Sequence, residues 1–252
     1  MNQFLRGVAR AAVESFALPD PVLEIGSYQV AGQEDLVNLR GLFPGRRYTG
    51  VDFRAGPGVD LVANVEDLPF PDASVGTVLA FSVFEHVKHF WKGFAEVRRV
   101  LRPDGVFLVC CPFYFHVHAY PHDYWRFTPE AFDTLLDWAP TRVLGWHGPE
   151  RRPLNVWAAA FGPEAKAPTA EQYQTYRAKL SAYGKEPVGL VRRLRYRLGR
   201  ALCGRRPFAP HLDREKWETV LRQTLPPAAP RNRLLPLAKS QVVVSQTARK
   251  AA

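Results

Sequence analysis

The chain has 252 residues, of which 46% are apolar and 23% charged, with a formal net charge of +10. This composition is typical of a soluble globular protein, and the length allows a sizeable core. No apolar run reaches the ~20 residues that a membrane-spanning helix needs. Three cysteines, two of them adjacent (Cys110 and Cys111), do not predict a disulfide framework, so we expect a reduced, cytoplasmic setting.

Charge divides the chain into two parts. Residues 1–162 carry 15 Lys/Arg against 18 Asp/Glu, whereas residues 163–252 carry 19 against 6. We therefore predict a near-neutral domain over residues 1–162 and a basic, mainly helical extension over 163–252. Such an asymmetry indicates contact of the extension with an anionic surface, either nucleic acid or membrane headgroups, or else a solvated appendage without a partner.

The predicted elements alternate between strand and helix from the N-terminus onward. Residues 1–19 contain Arg10 and Glu14, so they predict an amphipathic surface helix and not a signal peptide. Short apolar runs then predict strands, and apolar residues at helical spacing predict helices between them. The strands are predicted at 21–26, 47–53, 60–65, 76–84, 106–113, 142–148 and 155–162, and the helices near 34–43, 90–101 and 130–139.

This alternation predicts an α/β fold, a Rossmann-like parallel sheet with helices on both faces. Ligands of such sheets bind beyond the carboxyl ends of the strands, near the point where the strand order reverses. The residues at those ends are Gly26, Asp52 and the segment 82–86.

Four successive motifs carry a resemblance to a known family: VLEIGS at 22–27, YTGVDF at 48–53, NVEDLPFPDASVGTVLAFSVFEHV at 64–87 and EVRRVLRPDGVFLV at 96–109. In this order and spacing they resemble the class I S-adenosylmethionine-dependent methyltransferases of type 11, over residues 21–162. The resemblance implies a seven-stranded sheet whose last two strands form an antiparallel hairpin, and S-adenosylmethionine as cofactor.

The first two motifs supply most of the candidate cofactor residues. Gly26 lets the backbone turn sharply and approach a ligand, because glycine has no Cβ. Ser27 can donate a hydrogen bond, and Tyr28 stands where a dinucleotide loop would have a second glycine. By the resemblance, Glu24 organises the loop around the methionine part of the cofactor and Asp52 accepts hydrogen bonds from the ribose hydroxyls. Each acid, taken alone, is also compatible with capping the next helix.

The remaining cofactor candidates surround the adenine and the sulfonium. By the resemblance, Asn64 reaches the adenine amino group, Phe53 and Val65 form the apolar walls of the adenine slot, and Ser82 ends the fourth strand. Glu85 and His86 match a pair common in the family near the sulfonium. A histidine that merely bonds backbone at a strand end is the alternative for His86.

The segment from Cys110 to Phe132 has the most unusual composition, with three histidines and seven aromatic residues between positions 113 and 127. Aromatic faces stack on sugar rings and other planar groups, so we expect a wall that binds the acceptor. Its candidate binding residues are Tyr114, His116, Tyr120, Tyr124, Trp125 and Arg126. The segment resembles a variant found in methyltransferases of glycan and cell-surface biosynthesis. We expect no metal, because no further histidine–carboxylate motif was identified in the body.

A hydroxyl acceptor must lose its proton during methyl transfer, which requires a positioned base. Histidine is favoured because its ordinary pKa lies near neutrality. We expect His118 to be this base, oriented by Asp123, with His86 as second choice; a purely substrate-binding His118 is the alternative.

The extension contains one clear helical pattern. Residues 188–204 place leucines on one face and arginines on the opposite face, which is typical of a helix that lies on a membrane surface. A helix docked on the body is the alternative. Residues 213–225 predict another helix.

These observations favour an S-adenosylmethionine-dependent methyltransferase, with O-methylation of a small-molecule, glycan or lipid-linked acceptor. One alternative is an RNA methyltransferase, which the basic extension favours. The body lacks an Asn/Asp-Pro-Pro-aromatic motif, so nucleic acid is the less favoured partner. The other alternative is a non-catalytic binding module, which the missing second glycine would allow. The sequence does not indicate an oligomeric state.

Overall fold

A computed structural model describes residues 2–118, 122–184, 189–203 and 216–224. Its helices are α1 (Gln3–Val13), α2 (Glu34–Val37), α3 (Phe90–Val100), α4 (Pro129–Leu135), α5 (Ala170–Tyr183) and α6 (Leu190–Cys203). Its strands are β1 (Val22–Ile25), β2 (Tyr48–Asp52), β3 (Leu61–Val62), β4 (Val75–Phe81), β5 (Leu101–Pro112), β6 (Thr141–His147), β7 (Asn155–Phe161) and β8 (Trp217–Gln223).

All eight strands form one sheet in the order β3-β2-β1-β4-β5-β7-β6-β8. The first five pair in parallel, while β7 runs antiparallel to both β5 and β6. The predicted Rossmann-like sheet with a final antiparallel hairpin is therefore confirmed. The strand order reverses between β1 and β4, and this places the switch point at their carboxyl ends.

The eighth strand corrects the expectation of a helix over residues 213–225. Residues 217–223 pair antiparallel with β6, from Thr141 opposite Gln223 to His147 opposite Trp217. Without β8, the outer edge of β6 would present a row of unpaired backbone groups. The extension thus supplies the strand that covers this edge.

The predicted helix at 34–43 is also largely wrong. The chain forms only the four-residue α2 and a 3₁₀ turn at Arg40–Leu42. Asn38 between them has an extended backbone, and its carbonyl oxygen accepts a 2.6 Å hydrogen bond from the Arg6 guanidinium. This long-range contact with α1 replaces the bond that would continue the helix, and Gly41 has low helix propensity.

Helices cover both faces of the sheet, as predicted. On one face, α3 and α4 enclose a core that contains Phe84, Phe94, Phe107 and Phe132. On the other face, α1 and α5 pack together over Trp157 and Phe161. The strand β4 lies between the two cores and is buried along its whole length, which explains its almost wholly apolar sequence.

The N-terminal helix is more deeply packed than a surface helix. Asn2 caps it by accepting a 3.0 Å hydrogen bond from Leu5 N, and seven residues of the helix are buried. Its partner α5 begins with a capping box formed by Thr169 and Gln172. Tyr173, Tyr176 and Leu180 of α5 are buried, and the Trp157 indole donates a 2.9 Å hydrogen bond to the Tyr176 hydroxyl.

In contrast, α6 exposes apolar side chains, with Leu190 and Leu202 more than four-fifths exposed. None of the described helices has both the length and the apolar character needed to cross a membrane.

Candidate functional site

A cavity of about 750 Å³ opens at the carboxyl ends of β1, β2 and β4, the position where open parallel sheets bind ligands. Seven of the eight candidate cofactor residues line it: Glu24, Gly26, Asp52, Phe53, Asn64, Val65 and Ser82. The eighth, Ser27, is buried outside the lining, and a Cβ on Gly50 would lie 2.7 Å from its hydroxyl oxygen. Ser27 therefore packs beneath the loop and does not face the cavity.

The loop after β1 turns at Gly26, which has a φ of +78°. A Cβ at this position would lie 2.4 Å from Cγ2 of Val83, so a larger residue would meet both strain and a clash. The ring of Tyr28 lies against the Arg54 guanidinium, with 4.4 Å between the guanidinium carbon and the ring centroid. The tyrosine that replaces the second glycine is thus held by Arg54 at the cavity wall.

Asp52 ends β2 and is 8% exposed. Oδ1 accepts a 3.0 Å hydrogen bond from Arg54 N and lies 3.6 Å from Arg54 Nε, while Oδ2 lies 3.4 Å from Tyr28 N. These contacts fix the carboxylate and leave lone pairs on both oxygens for further donors. A pair of vicinal ribose hydroxyls is a suitable ligand for such a carboxylate.

Both predicted adenine walls, Phe53 and Val65, line the cavity. Phe53 is half exposed, whereas Val65 is buried. The Asn64 side-chain oxygen accepts a 3.0 Å hydrogen bond from Glu66 N, which orients the amide. An apolar slot with one fixed amide at its edge is compatible with a purine.

Glu24 is buried at the end of β1, and its Oε2 accepts a 2.8 Å hydrogen bond from the Tyr48 hydroxyl. Burial raises the pKa of Glu24 to about 7, because the charged form is poorly solvated. The same burial and the neighbouring carboxylate raise the pKa of Tyr48. The pair keeps a proton between the two oxygens next to the cavity.

The turn after β4 brings a second group of polar residues to the cavity. Ser82 has a φ of +58°, an uncommon value for a residue with a side chain and one that often occurs at functional sites. Its backbone N–H donates a 2.8 Å hydrogen bond to Cys110 O. The turn then places Glu85 and His86 in the cavity lining at the carboxyl end of β4.

Glu85, His86 and His118 meet at this end. One ligand-type atom from each of the three side chains lies within 4.8 Å of the other two. Glu85 is completely buried, and neither carboxylate oxygen has a hydrogen bond within the described residues. Burial raises the pKa of Glu85 to about 8 and lowers the pKa of His86.

Asp123 lies next to His118. Asp123 Oδ2 lies 2.8 Å from His118 Nδ1 and accepts a 3.1 Å hydrogen bond from His118 N. Arg126 binds both oxygens of Asp123, with 2.7 Å from Nη2 to Oδ2. This ion pair lowers the pKa of Asp123 and keeps it charged. Asp123 and Arg126 do not line the cavity, so both act as supports for His118.

Of the other acceptor candidates that the structure describes, only Tyr124 lines the cavity. The Trp125 indole donates a 3.0 Å hydrogen bond to Val87 O, which gives that residue a structural role. Tyr114 and His116 lie outside the lining, and Tyr120 falls outside the described residues.

Several lining residues were not among the sequence candidates: Asn2, Leu5, Phe115, His122 and Asn155. Glu85, which the FEHV motif placed beside His86, also lines the cavity. No sequence signal indicated Asn2 and Leu5, because only the packing of α1 brings them to the cavity.

Comparisons with known proteins agree with this geometry. A family model described as "Methyltransferase domain" matches residues 31–109. A probable S-adenosylmethionine-dependent methyltransferase of Mycolicibacterium smegmatis is 47% identical over 66 residues, which cover 26% of this chain and 23% of that protein. Phthiotriol/phenolphthiotriol dimycocerosates methyltransferase 1 of Mycobacterium ulcerans is 39% identical over 99 residues, 34% of this chain and 35% of that protein. The chain thus spans a quarter to a third of these curated relatives.

Among solved structures, a Burkholderia thailandensis 1,6-didemethyltoxoflavin-N1-methyltransferase with bound S-adenosylhomocysteine matches with a TM-score of 0.48 at 20% identity. The match covers 64% of this chain and 78% of that one.

The residues at the switch point fit S-adenosylmethionine: a fixed carboxylate for the ribose, an apolar slot for the adenine and a glycine turn without phosphate-binding requirements. Residues 31–109 thus match a methyltransferase domain, and the residues at the switch point are those that a class I methyltransferase would use to hold S-adenosylmethionine.

Proposed function

We propose that the chain transfers the methyl group of S-adenosylmethionine to a hydroxyl oxygen of a small-molecule, glycan or lipid-linked acceptor. The observation that carries this proposal is the continuity of the cavity. Its lining includes Asp52, which would hold the ribose, and also His86, which follows β4, and His118, which follows β5. The methyl group would face the histidines when the adenosine occupies the Asp52 end.

The chemistry needs alignment and removal of a proton. The sulfonium methyl is already electrophilic, so the protein must align the acceptor oxygen with the methyl–sulfur bond and exclude water. A positioned base then removes the hydroxyl proton. His118 is our candidate for this base, because it lines the cavity and Asp123 fixes its ring.

The proposed class of acceptor is inferred from the side chains that line the cavity together with these histidines. Phe115 and Tyr124 line the cavity with aromatic surface that suits sugar rings or apolar chains. Relatives named as phthiotriol/phenolphthiotriol dimycocerosates methyltransferases lend support to a lipid acceptor, over about a third of each chain.

The proposal also includes peripheral contact with an anionic membrane through α6, at the cytoplasmic side. Leu194 and Leu198 are exposed on this helix, and so are Arg195 and Arg197. Exposed apolar side chains flanked by arginines complement acyl chains beneath anionic headgroups. A membrane-bound enzyme would meet a lipid-linked acceptor directly.

An acceptor screen tests the proposed activity. We expect methyl transfer from labelled S-adenosylmethionine to at least one hydroxylated glycan or lipid, and a loss of about 100-fold or more in His118→Ala. His89→Ala is the matched control, because His89 does not line the cavity; its Nδ1 lies 2.8 Å from Glu66 Oε2. We expect this variant to retain full activity. Transfer to RNA alone, or full activity in His118→Ala, would contradict the proposal.

A further inference from the structure

The cluster of Glu85, His86 and His118 contains more potential metal ligands than a proton-transfer site needs. It brings together three side chains whose ligand-type atoms lie within 4.8 Å of one another. The two segments that supply them are 32 residues apart: Glu85 and His86 follow β4, and His118 belongs to the loop after β5. From the sequence no metal was expected, because the histidines of residues 116–122 have no second histidine–carboxylate motif nearby in the chain.

The orientation of His86 is fixed by the backbone. Its Nδ1 lies 2.6 Å from the carbonyl oxygen of His122, and a carbonyl can only accept, so Nδ1 carries the proton. The lone pair of neutral His86 is therefore on Nε2, which lies 3.8 Å from Glu85 Oε1. Metal-binding histidines commonly donate their second ring N–H to a carbonyl in this way.

Glu85 provides the second, independent observation. The side chain is completely buried, and both carboxylate oxygens are without a hydrogen bond within the described residues. The Cys111 thiol and the backbone N–H of Glu85 interact only weakly with this carboxylate. A buried carboxylate with such weak partners is costly unless a proton or a cation compensates it. The backbone carbonyl of Glu85 accepts a 2.7 Å hydrogen bond from Tyr124 N, so the loop that carries His118 is tied to this position.

We infer that Glu85, His86 and His118 form a binding site for a divalent transition-metal cation at the acceptor end of the cavity. Two imidazoles and one carboxylate are a common donor set for zinc and related ions, with the remaining position open to a water or substrate oxygen. Ligands of a tetrahedral ion lie roughly 3.4 Å apart when the bonds are near 2.1 Å. The spread of up to 4.8 Å therefore needs only small side-chain rotations.

This inference deepens the proposed function and rests on it for its chemical consequence. A cation at this position would polarise the acceptor hydroxyl and hold it towards the sulfonium methyl. His118 would then be a ligand and not the base, and the hydroxyl proton, made more acidic by the cation, would leave to solvent water. Asp123 and Arg126 act as positioning residues that hold the His118 ring.

Direct metal titration tests the site without any need for activity. The full chain is stripped with a chelator and titrated by calorimetry with ZnCl₂, and separately with CoCl₂ while visible absorption is recorded. We expect one equivalent of each ion to bind, with Co²⁺ showing the d–d bands of nitrogen and oxygen ligation. Glu85→Gln and His118→Ala should each weaken binding by at least about 100-fold, whereas His89→Ala should bind as the wild type.

Two outcomes would overturn the inference: no binding to folded wild-type protein, or wild-type affinity in both variants. Glu85→Gln keeps the shape of a buried side chain, whereas His118→Ala alters a partly exposed one. If Glu85→Gln does not fold, the metal affinity of His118→Ala decides whether the site exists. S-adenosylhomocysteine is titrated into the same stripped protein. Cofactor binding without metal binding rejects the metal site alone, whereas loss of cofactor binding would reject the proposed function.

Discussion

Glu24 lines the cavity and also makes the stability of the fold depend on pH. Its carboxyl is buried beside Tyr48, and its pKa is raised to about 7. In the unfolded chain the same group titrates near pH 4.3. Between these two pH values the folded protein therefore binds more protons than the unfolded one, and the free energy of unfolding falls as pH rises.

Glu24→Gln should remove this part of the pH dependence. The glutamine still accepts the Tyr48 hydrogen bond but does not titrate. We expect the free energy of unfolding of the wild type to fall by up to about 3 kcal/mol more than that of the variant between pH 4 and pH 8. Urea unfolding at both pH values measures the difference, with the exposed Asp72→Asn as control. Parallel pH profiles for wild type and Glu24→Gln would refute it.

Single residues also show what the sequence could predict of the site. Glu24, Gly26 and Asp52 were predictable, because each follows directly from a strand end and its motif. Trp125 and Arg126 were predicted as acceptor contacts, but the structure places them outside the cavity lining. Composition identified the right loop but could not say which side chains turn inward, since that depends on partners such as Asp123 and Val87.

At the scale of elements, the strands and helices with strong local periodicity were predictable. The pattern of β4 and that of α3 each identify the element from its own residues. The strand β8 could not be identified in this way, because residues 217–223 become a strand by pairing with the free edge of β6. The helix predicted at 34–43 does not form because of another long-range contact, the hydrogen bond from the Arg6 guanidinium to Asn38 O.

Truncation tests whether residues 1–162 form a domain by themselves. A chain ending at residue 162 lacks α5 and β8, which exposes the apolar surface of α1 and the edge of β6. We expect it to aggregate or to melt well below the full chain, while a chain ending at residue 224 keeps the melting temperature of the full chain. Size-exclusion chromatography and thermal unfolding measure this. A stable monomer of 1–162 would instead support the predicted boundary.

Across the whole molecule, the excess of positive charge and the exposed apolar side chains of α6 occur in the same part of the chain. The basic extension, residues 163–252, contains α6, whose exposed leucines are not covered by any described element. Anionic membranes attract a basic patch, and apolar side chains then insert at the interface. The sequence predicted this helix correctly, since its pattern depends only on its own residues.

Vesicle flotation tests the role of α6. The full chain should float with phosphatidylcholine vesicles that contain phosphatidylglycerol, and much less with pure phosphatidylcholine. Joint Leu194→Gln and Leu198→Gln should reduce the bound fraction several-fold, whereas Val62→Gln, an exposed apolar residue on β3, should not. Equal flotation of the double variant and the wild type would rule out insertion through α6.

The most direct test of the central claim is calorimetric titration of the full chain with S-adenosylhomocysteine, the demethylated product of the cofactor. If the cavity at the ends of β1, β2 and β4 is the cofactor site, the wild type and Asp72→Asn bind one equivalent. Asp52→Ala should then bind at least about 10-fold more weakly, since it loses the charge-assisted bonds to the ribose. Absence of binding to folded wild-type protein, or equal affinity in Asp52→Ala, would contradict the account.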